Sequence, residues 1–364
     1  MNRLFANTMF LKILFPALSI FLIFCSDSTI KSTDVPDLEP NEEEPYERPA
    51  DLPGLYVEEG GHKIYDRCGE EVVLRGINRM TIVLDIDHDE NGEPYFNDFS
   101  LREIAKTGAN TVRIMWMMWR DAYLVESAVA TAIELGMIPI LEMHDATGRW
   151  DRLDEVVDYW LQEDMLNIVL TYEKDLIVNI ANEAGNQNIT DSQFLDDYSR
   201  IISRMRDAGI RTPLMIDATT WGRNVEQLLR VAPDLIKEDP DRNLIFSWHP
   251  WDTGENEAER VTKAMETSIE KNIPFVIGEF SHTSVGCIGQ VPYHHIMAEA
   301  QRLNIGWLAW SWGPGNGDCE TMDMTTDASF ESLFGWGLET AVTDPNSIIN
   351  TSIRPYSIVT GKCK

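Results

Sequence analysis

Eight short apolar runs recur along the chain, and nearly every one stops at a polar or aromatic residue: VVLRGIN, NTVRIMW, IPILEMH, LIVNIANE, PLMIDA, LIFSWH, PFVIGEF and IGWLAWSW. Runs of this length, rich in Val and Ile and bounded by turn-forming residues, read as buried strands. Amphipathic stretches lie between them, such as LREIAKTG, ESAVATAIELG, DSQFLDDYSRIISRMRDAG and ENEAERVTKAMETSIEKN. In the longest, Phe194, Leu195, Tyr198, Ile201, Ile202 and Met205 repeat at helical spacing, and Gly209 ends it. A hairpin, LYVEEGGHKIYD, precedes the series with Gly60 and Gly61 at its turn. Strand and helix alternating eight times predict a (β/α)8 barrel over residues 54–364, opened by that hairpin. A doubly wound open sheet is the alternative, but the Gly-rich phosphate turn expected after its first strand is missing.

In a (β/α)8 barrel the C-terminal strand ends converge on one face, so their last residues describe a pocket. They are Asn78, Arg113, His144, Asn182 with Glu183, Asp217, His249 with Trp251, Glu279, and Trp310 with Trp312. One carboxylate after a strand is an ordinary loop residue; a ring of polar and aromatic residues is a site. Glu183 and Glu279, from the fourth and seventh strands, would face each other across the mouth. Paired carboxylates are what glycosidic cleavage needs, one protonating the leaving oxygen while the other attacks or activates water. A gap of roughly 5 Å between them goes with retention of configuration and a wider one with inversion. Tryptophans at the same mouth suit a sugar, whose C–H faces stack on aromatic rings.

The ordered set VLRGIN, TGANTVRI, LEMHDATG, VVDYW, IVNIANE, LMIDATTWG, DPDRN, VIGEFSH and IGWLAWSW resembles glycoside hydrolase family 5, in the clan of (β/α)8 retaining glycosidases. It is particularly similar to the bacterial endo-β-1,4-mannanases of that family, over nearly the whole domain. The resemblance implies Glu183 as acid/base and Glu279 as nucleophile, with Asn182 hydrogen-bonding the sugar 2-hydroxyl. It implies Arg113 paired with Glu279 and holding it ionised, His144 and His249 lining the subsite beside the cleaved bond, and Trp310 as its floor. The charge of Glu279 is expected to raise the pKa of Glu183.

Two positions depart from the family pattern. Trp251 stands where a Tyr usually donates to the nucleophile, and its indole N–H could replace that hydroxyl as donor but not as acceptor. Ala184 stands where these mannanases carry a Trp after the acid/base. Substrate choice lies between mannan and glucan, and a catalytically silent carbohydrate binder is the rival from another class. The chemistry requires no cofactor and no metal, and the expected partner is a polysaccharide bound by a monomer.

Sixty acidic residues against thirty basic ones give a net charge of −30, a field that repels nucleic acid. Residues 1–25 place Arg3 and Lys12 before ILFPALSIFLIF, a run too short to span a bilayer comfortably and similar to the apolar region of an export signal. LIFCSDS resembles a lipobox with Cys25 as the lipidated residue, although Phe24 replaces the usual small residue. Residues 26–53, with EPNEEEPYERP, are too polar to bury a core and read as a tether. The expected location is therefore outside the cytoplasm, as a surface or periplasmic lipoprotein or a secreted protein.

Cys68, Cys287, Cys319 and Cys363 remain, an even number that suggests disulfides in one of three connectivities. Cys287 and Cys319 follow strands seven and eight and could join neighbouring loops, leaving Cys68 for Cys363. DIDHDENGE, at residues 85–93, alternates aspartates like a calcium loop, but its Gly is late and Phe96 takes the place of the bidentate Glu, so a solvated acidic loop is expected. His294 and His295 open a helix with no third ligand near, which favours packing over metal. Of Trp116, Trp119, Trp150 and Trp221, about half are expected as sugar platforms and the rest as packing.

Overall fold

The computed structural model describes residues 53–80 and 84–364; the predicted export segment and all of the predicted tether except Pro53 lie outside them. The chain opens with β1 (Tyr56–Val57) paired antiparallel to β2 (Ile64–Tyr65). After β3 (Arg75–Met80), a second hairpin of β4 (Ile86–His88) and β5 (Pro94–Phe96) interrupts the alternation. Then follow α1 (Phe99–Ala105), β6 (Thr111–Trp116), α2 (Ala122–Glu134), β7 (Ile138–Met143), α3 (Leu153–Trp160) and α4 (Glu163–Tyr172). The series continues with β8 (Ile177–Asn179), α5 (Asp191–Asp207), β9 (Leu214–Asp217), α6 (Val225–Glu238), β10 (Leu244–Trp248), α7 (Glu257–Glu270), β11 (Phe275–Ile277), α8 (Tyr293–Leu303) and β12 (Gly306–Ala309). Strands β3, β6, β7, β8, β9, β10, β11 and β12 close in that order into a barrel whose pairings are all parallel. All eight predicted strands are present, each shorter than the apolar run that announced it.

Local chemistry sets the helix limits. Thr190 caps α5 by accepting from the Gln193 amide at 3.1 Å. Gly209, at φ 94°, ends it in a conformation that costs other residues strain. Phe194, Tyr198, Ile201, Ile202 and Met205 are its buried face, each contributing about 1.5–3 kcal/mol on burial.

The barrel strands follow a period of two. Leu141, Val178, Ile216, Phe246 and Ile277 belong to the large cluster that packs against the helices. Their alternates Ile140, Ile177, Met215, Ile245, Val276 and Leu308 fill the interior as a second cluster. The β1–β2 hairpin adds Leu55, Val57 and Ile64 to that interior cluster, and the Val57 amide donates to Asn243 Oδ1 at 3.0 Å. Two residues beyond the apolar layer, toward the C-terminal strand ends, the interior positions turn polar: Glu142, Asn179, Asp217 and Ser247, beside Asn78 and Arg113, all buried. Such a layer is tolerated only if its members satisfy one another.

Both predicted disulfides form, Cys68–Cys363 and Cys287–Cys319, with Cα–Cα distances of 5.4 and 5.3 Å. Residues 87–93 are exposed, as expected of a solvated acidic segment, but they belong to a hairpin, and Asp85 departs from the expectation. Asp85 is buried against Arg79 and Ser100, and Asp89 Oδ1 closes the β4–β5 turn by accepting from the Asn91 and Glu93 amides. Asp87 binds the Asn97 side chain, so each aspartate has a different task. His294 turns to Asp344 at 2.8 Å, whereas His295 meets Thr262. Among the described residues no helix is long and apolar enough to cross a membrane.

Candidate active site

Arg113, fully buried at the middle of β6, organises the polar layer. Its Nε donates to Asn179 Oδ1 at 2.9 Å, and Nη1 donates to Asn78 Oδ1 at 3.0 Å and Glu279 Oε1 at 2.7 Å. Nη2 donates to Asn182 Oδ1 at 2.7 Å and, more weakly, to Asp217 Oδ2 at 3.5 Å. Burial works against the guanidinium charge, but the surrounding carboxylates of Glu142, Glu279 and Asp217 outweigh it and raise the pKa further.

Glu183 follows β8 in a left-handed conformation, φ 46°, which is strained for a residue with a side chain. The strain is held from both sides: its amide donates to Asp217 Oδ2 at 3.0 Å, and its carbonyl accepts from the Gly148 amide at 2.9 Å. The carboxylate then meets His249, Oε1 to Nδ1, at 2.7 Å. The same Nδ1 lies 3.5 Å from Glu279 Oε2, so one imidazole stands between the two glutamates. Burial alone would depress the pKa of His249, but Glu279, Asp217 and Glu183 carry it up to about 9, and the ring is an imidazolium at neutral pH.

Two glycines make this possible. A Cβ on Gly278 would stand 2.1 Å from Ser247 Oγ and 2.7 Å from His249 Nε2. One on Gly222, at φ +74°, would stand 2.6 Å from His249 Nδ1 and 2.9 Å from Glu183 Oε1. The Gly of VIGEF and the Gly of TTWGRN are therefore room for His249.

Glu279 sits just past β11 and is nearly enclosed. Burial and, less so, Glu183 raise its carboxyl, the His249 and Arg113 charges pull it down, and the balance lies at about 7. Arg113 contacts Glu279 as the resemblance implies, and its charge favours the ionised carboxylate while burial opposes it. An oxygen of Glu183, one of Glu279 and a ring nitrogen of His249 all lie within 4.8 Å of one another. A cation could fit that spacing, but these atoms are already bonded to each other and to Arg113, and two positive side chains stand beside them.

The mouth above is a cleft of about 780 Å³ lined by His144, Asn182, Glu183, Trp251, Glu279 and Trp310, with Trp221 and loop residues after β11 and β12. Arg113 and His249 are wholly buried beneath it and do not line it. The His144 ring lies 6.4 Å from that of Trp310 at an interplanar angle of 15°, and Trp310 Nε1 donates to Asn316 Oδ1 at 2.9 Å. The Trp251 indole faces the cleft but makes no hydrogen bond to Glu279; that carboxylate is reached by Arg113 and His249 instead. Of the four loop tryptophans only Trp221 lines the cleft. Trp116 is core, and Trp150 packs on Phe194 and Tyr198 while donating to Asp197. Trp119 is exposed under the Arg120 guanidinium, outside the cleft. Asp217 stood in the strand-end ring without a role, and Glu142 was absent from it.

A closed parallel barrel with two carboxylates and stacked aromatics in a groove at its C-terminal face defines a glycoside hydrolase. Residues 66–316 match the family described as Cellulase (glycosyl hydrolase family 5). A mannan endo-1,4-beta-mannosidase of Salipaludibacillus agaradhaerens is 32% identical over 295 residues, 78% of this chain and 89% of that protein. One of Cellvibrio japonicus is 32% identical over 310 residues, covering 82% and 68%. Among solved structures, a Thermomonospora fusca beta-mannanase superposes with TM-score 0.73 at 27% identity, covering 84% of this chain and 99% of that one. The chain belongs to glycoside hydrolase family 5.

The Asp217 contact generates a test. In Asp217→Asn an amide N–H2 can face the Glu183 amide and the Arg113 guanidinium, opposing donor to donor. We expect kcat on the enzyme's glycan to fall about 100-fold, as for a misplaced catalytic group, with the circular dichroism spectrum unchanged. Wild-type kcat in the folded variant would refute the assignment.

Proposed function

We propose that this protein is an endo-acting mannanase that cleaves β-1,4-mannan or glucomannan with retention, as a monomer, with Glu279 as nucleophile and Glu183 as acid/base. The observation that carries the reading is the spacing of the two carboxylates, with oxygens no more than 4.8 Å apart, which suits direct attack on the sugar and leaves little room for a water between. Glu279, ionised, attacks the anomeric carbon while Glu183 protonates the departing oxygen, giving a glycosyl–enzyme ester. Glu183, now a carboxylate, takes a proton from water as that water displaces Glu279. The His249 imidazolium between them favours both anions in turn. Asn182, oriented by Arg113 and by its own donation to Thr147 Oγ1 at 2.9 Å, is positioned for a sugar hydroxyl.

Mannan as substrate is supported by the names of the relatives at 32% identity, and by a similar Streptomyces thermolilacinus beta-mannanase solved with mannohexaose (TM-score 0.73, 27% identity). Trp310, Trp221 and Trp251 offer apolar surface to sugar rings in the cleft. Export with lipid attachment at Cys25 is part of the same proposal, supported by the basic and apolar order of residues 1–25 and by the polar segment that follows.

Reducing-end release should be fastest from galactomannan or glucomannan and slow from carboxymethyl-cellulose; the reverse order would make the enzyme a glucanase. A Glu183→Gln, Glu279→Gln double variant should lose all turnover, and a wild type no faster than that variant would make the protein a silent binder. Radiolabelled lipid should be incorporated into the full chain and be lost in Cys25→Ala; label that survives the change would exclude this anchor.

A further inference from the structure

Glu142 is a fully buried carboxylate that the proposed chemistry does not use. It points into the barrel from β7, two residues before His144. One oxygen, Oε1, lies 3.0 Å from His144 Nδ1. The other, Oε2, has no hydrogen-bond partner, and Arg113 Nη1 stands 3.9 Å from it. A buried carboxylate oxygen without a donor is unfavourable, and what offsets it is charge: Arg113 on one side and His144 on the other. His144 itself is a quarter exposed and lines the cleft. With Nδ1 turned down to Glu142, Nε2 is the ring nitrogen left for the cleft.

We propose that Glu142 is a positioning residue that keeps His144 doubly protonated and fixed in orientation, so that Nε2–H is a permanent hydrogen-bond donor to a hydroxyl oxygen of the bound sugar. This rests on the reading of the cleft as a glycan site. A neutral imidazole donating Nδ1–H to a neutral acceptor would present a bare Nε2 lone pair, and the sense of the contact would invert. The surroundings agree. Burial tends to strip the ring of its charge, but Glu142, assisted by Glu279 from beyond β11, outweighs burial and the opposing Arg113, and the pKa is raised. The Trp310 ring lies nearly parallel to the imidazole, limiting its tilt.

Glu142→Gln tests this, since it keeps the shape and an acceptor for Nδ1–H while removing the charge. In the substrate-free enzyme at pH 7, nitrogen-15 resonances of the His144 ring should report two protonated nitrogens in wild type and one in Glu142→Gln. On mannohexaose at pH 7 the variant should lose about 10- to 100-fold in kcat/KM, the range of a charged hydrogen bond. Relative to wild type at the same pH, that deficit should shrink as the pH falls well below the free-histidine value of about 6.5, because without Glu142 burial and Arg113 delay protonation of the ring. Glu142→Asp should recover part of it, and Glu142→Gln should add nothing to His144→Ala. A neutral His144 in wild type, a deficit independent of pH, or full additivity with His144→Ala would each overturn the proposal. The resonance measurement needs no substrate, so a wrong assignment of the glycan leaves it standing.

Discussion

Everything at the mouth of this barrel depends on enclosing one guanidinium. Arg113 lies beneath the cleft, fully buried, and Glu279, Asn78, Asn179, Asn182 and Asp217 take its hydrogen bonds. A buried charge without partners costs several kcal/mol or more, so the layer exists as a set or not at all. Removing Arg113 would leave the carboxylates of Glu142, Asp217 and Glu279 crowded together, and would free Asn182 from the orientation it needs. Stability and chemistry use the same bonds here.

That set also explains how two glutamates from opposite parts of the barrel share one groove. Arg113 draws Glu279 down from β11, while Asp217 holds the strained Glu183 peptide above β8. His249 fills the space between, admitted by Gly222 and Gly278. Its positive charge offsets repulsion between the carboxylates, while burial raises the pKa of Glu279. Above this level the cleft is built from aromatic walls and from the two loops tied by Cys287–Cys319.

Most of the architecture was legible because the barrel strands are apolar on both faces and end abruptly. A run such as LIVNIANE announces both the strand and the place where polar chemistry begins. The hairpin at residues 86–96 was hidden, because its two strands are only three residues long, too short to show a period, so that the Asn91-Gly92 pair in its turn read as part of an acidic loop. Within the site, residues after the strands could be read from their position. Glu142 could not, since it lies inside IPILEMH and only the inward direction of alternate residues sets it beside His144. Gly222 and Gly278 carry no chemical signal at all; their reason is the ring that passes them. Net effects of burial against ion pairing, as at Glu279, depend on solvent exclusion that no local pattern encodes.

The proposed cleavage needs two carboxylates close enough for one to form a bond to the sugar. Proton magnetic resonance of the first product from a manno-oligosaccharide, recorded before mutarotation, reads this directly. A new reducing end that appears first as the β-anomer is the predicted result; first appearance as the α-anomer would mean that water attacks in place of Glu279.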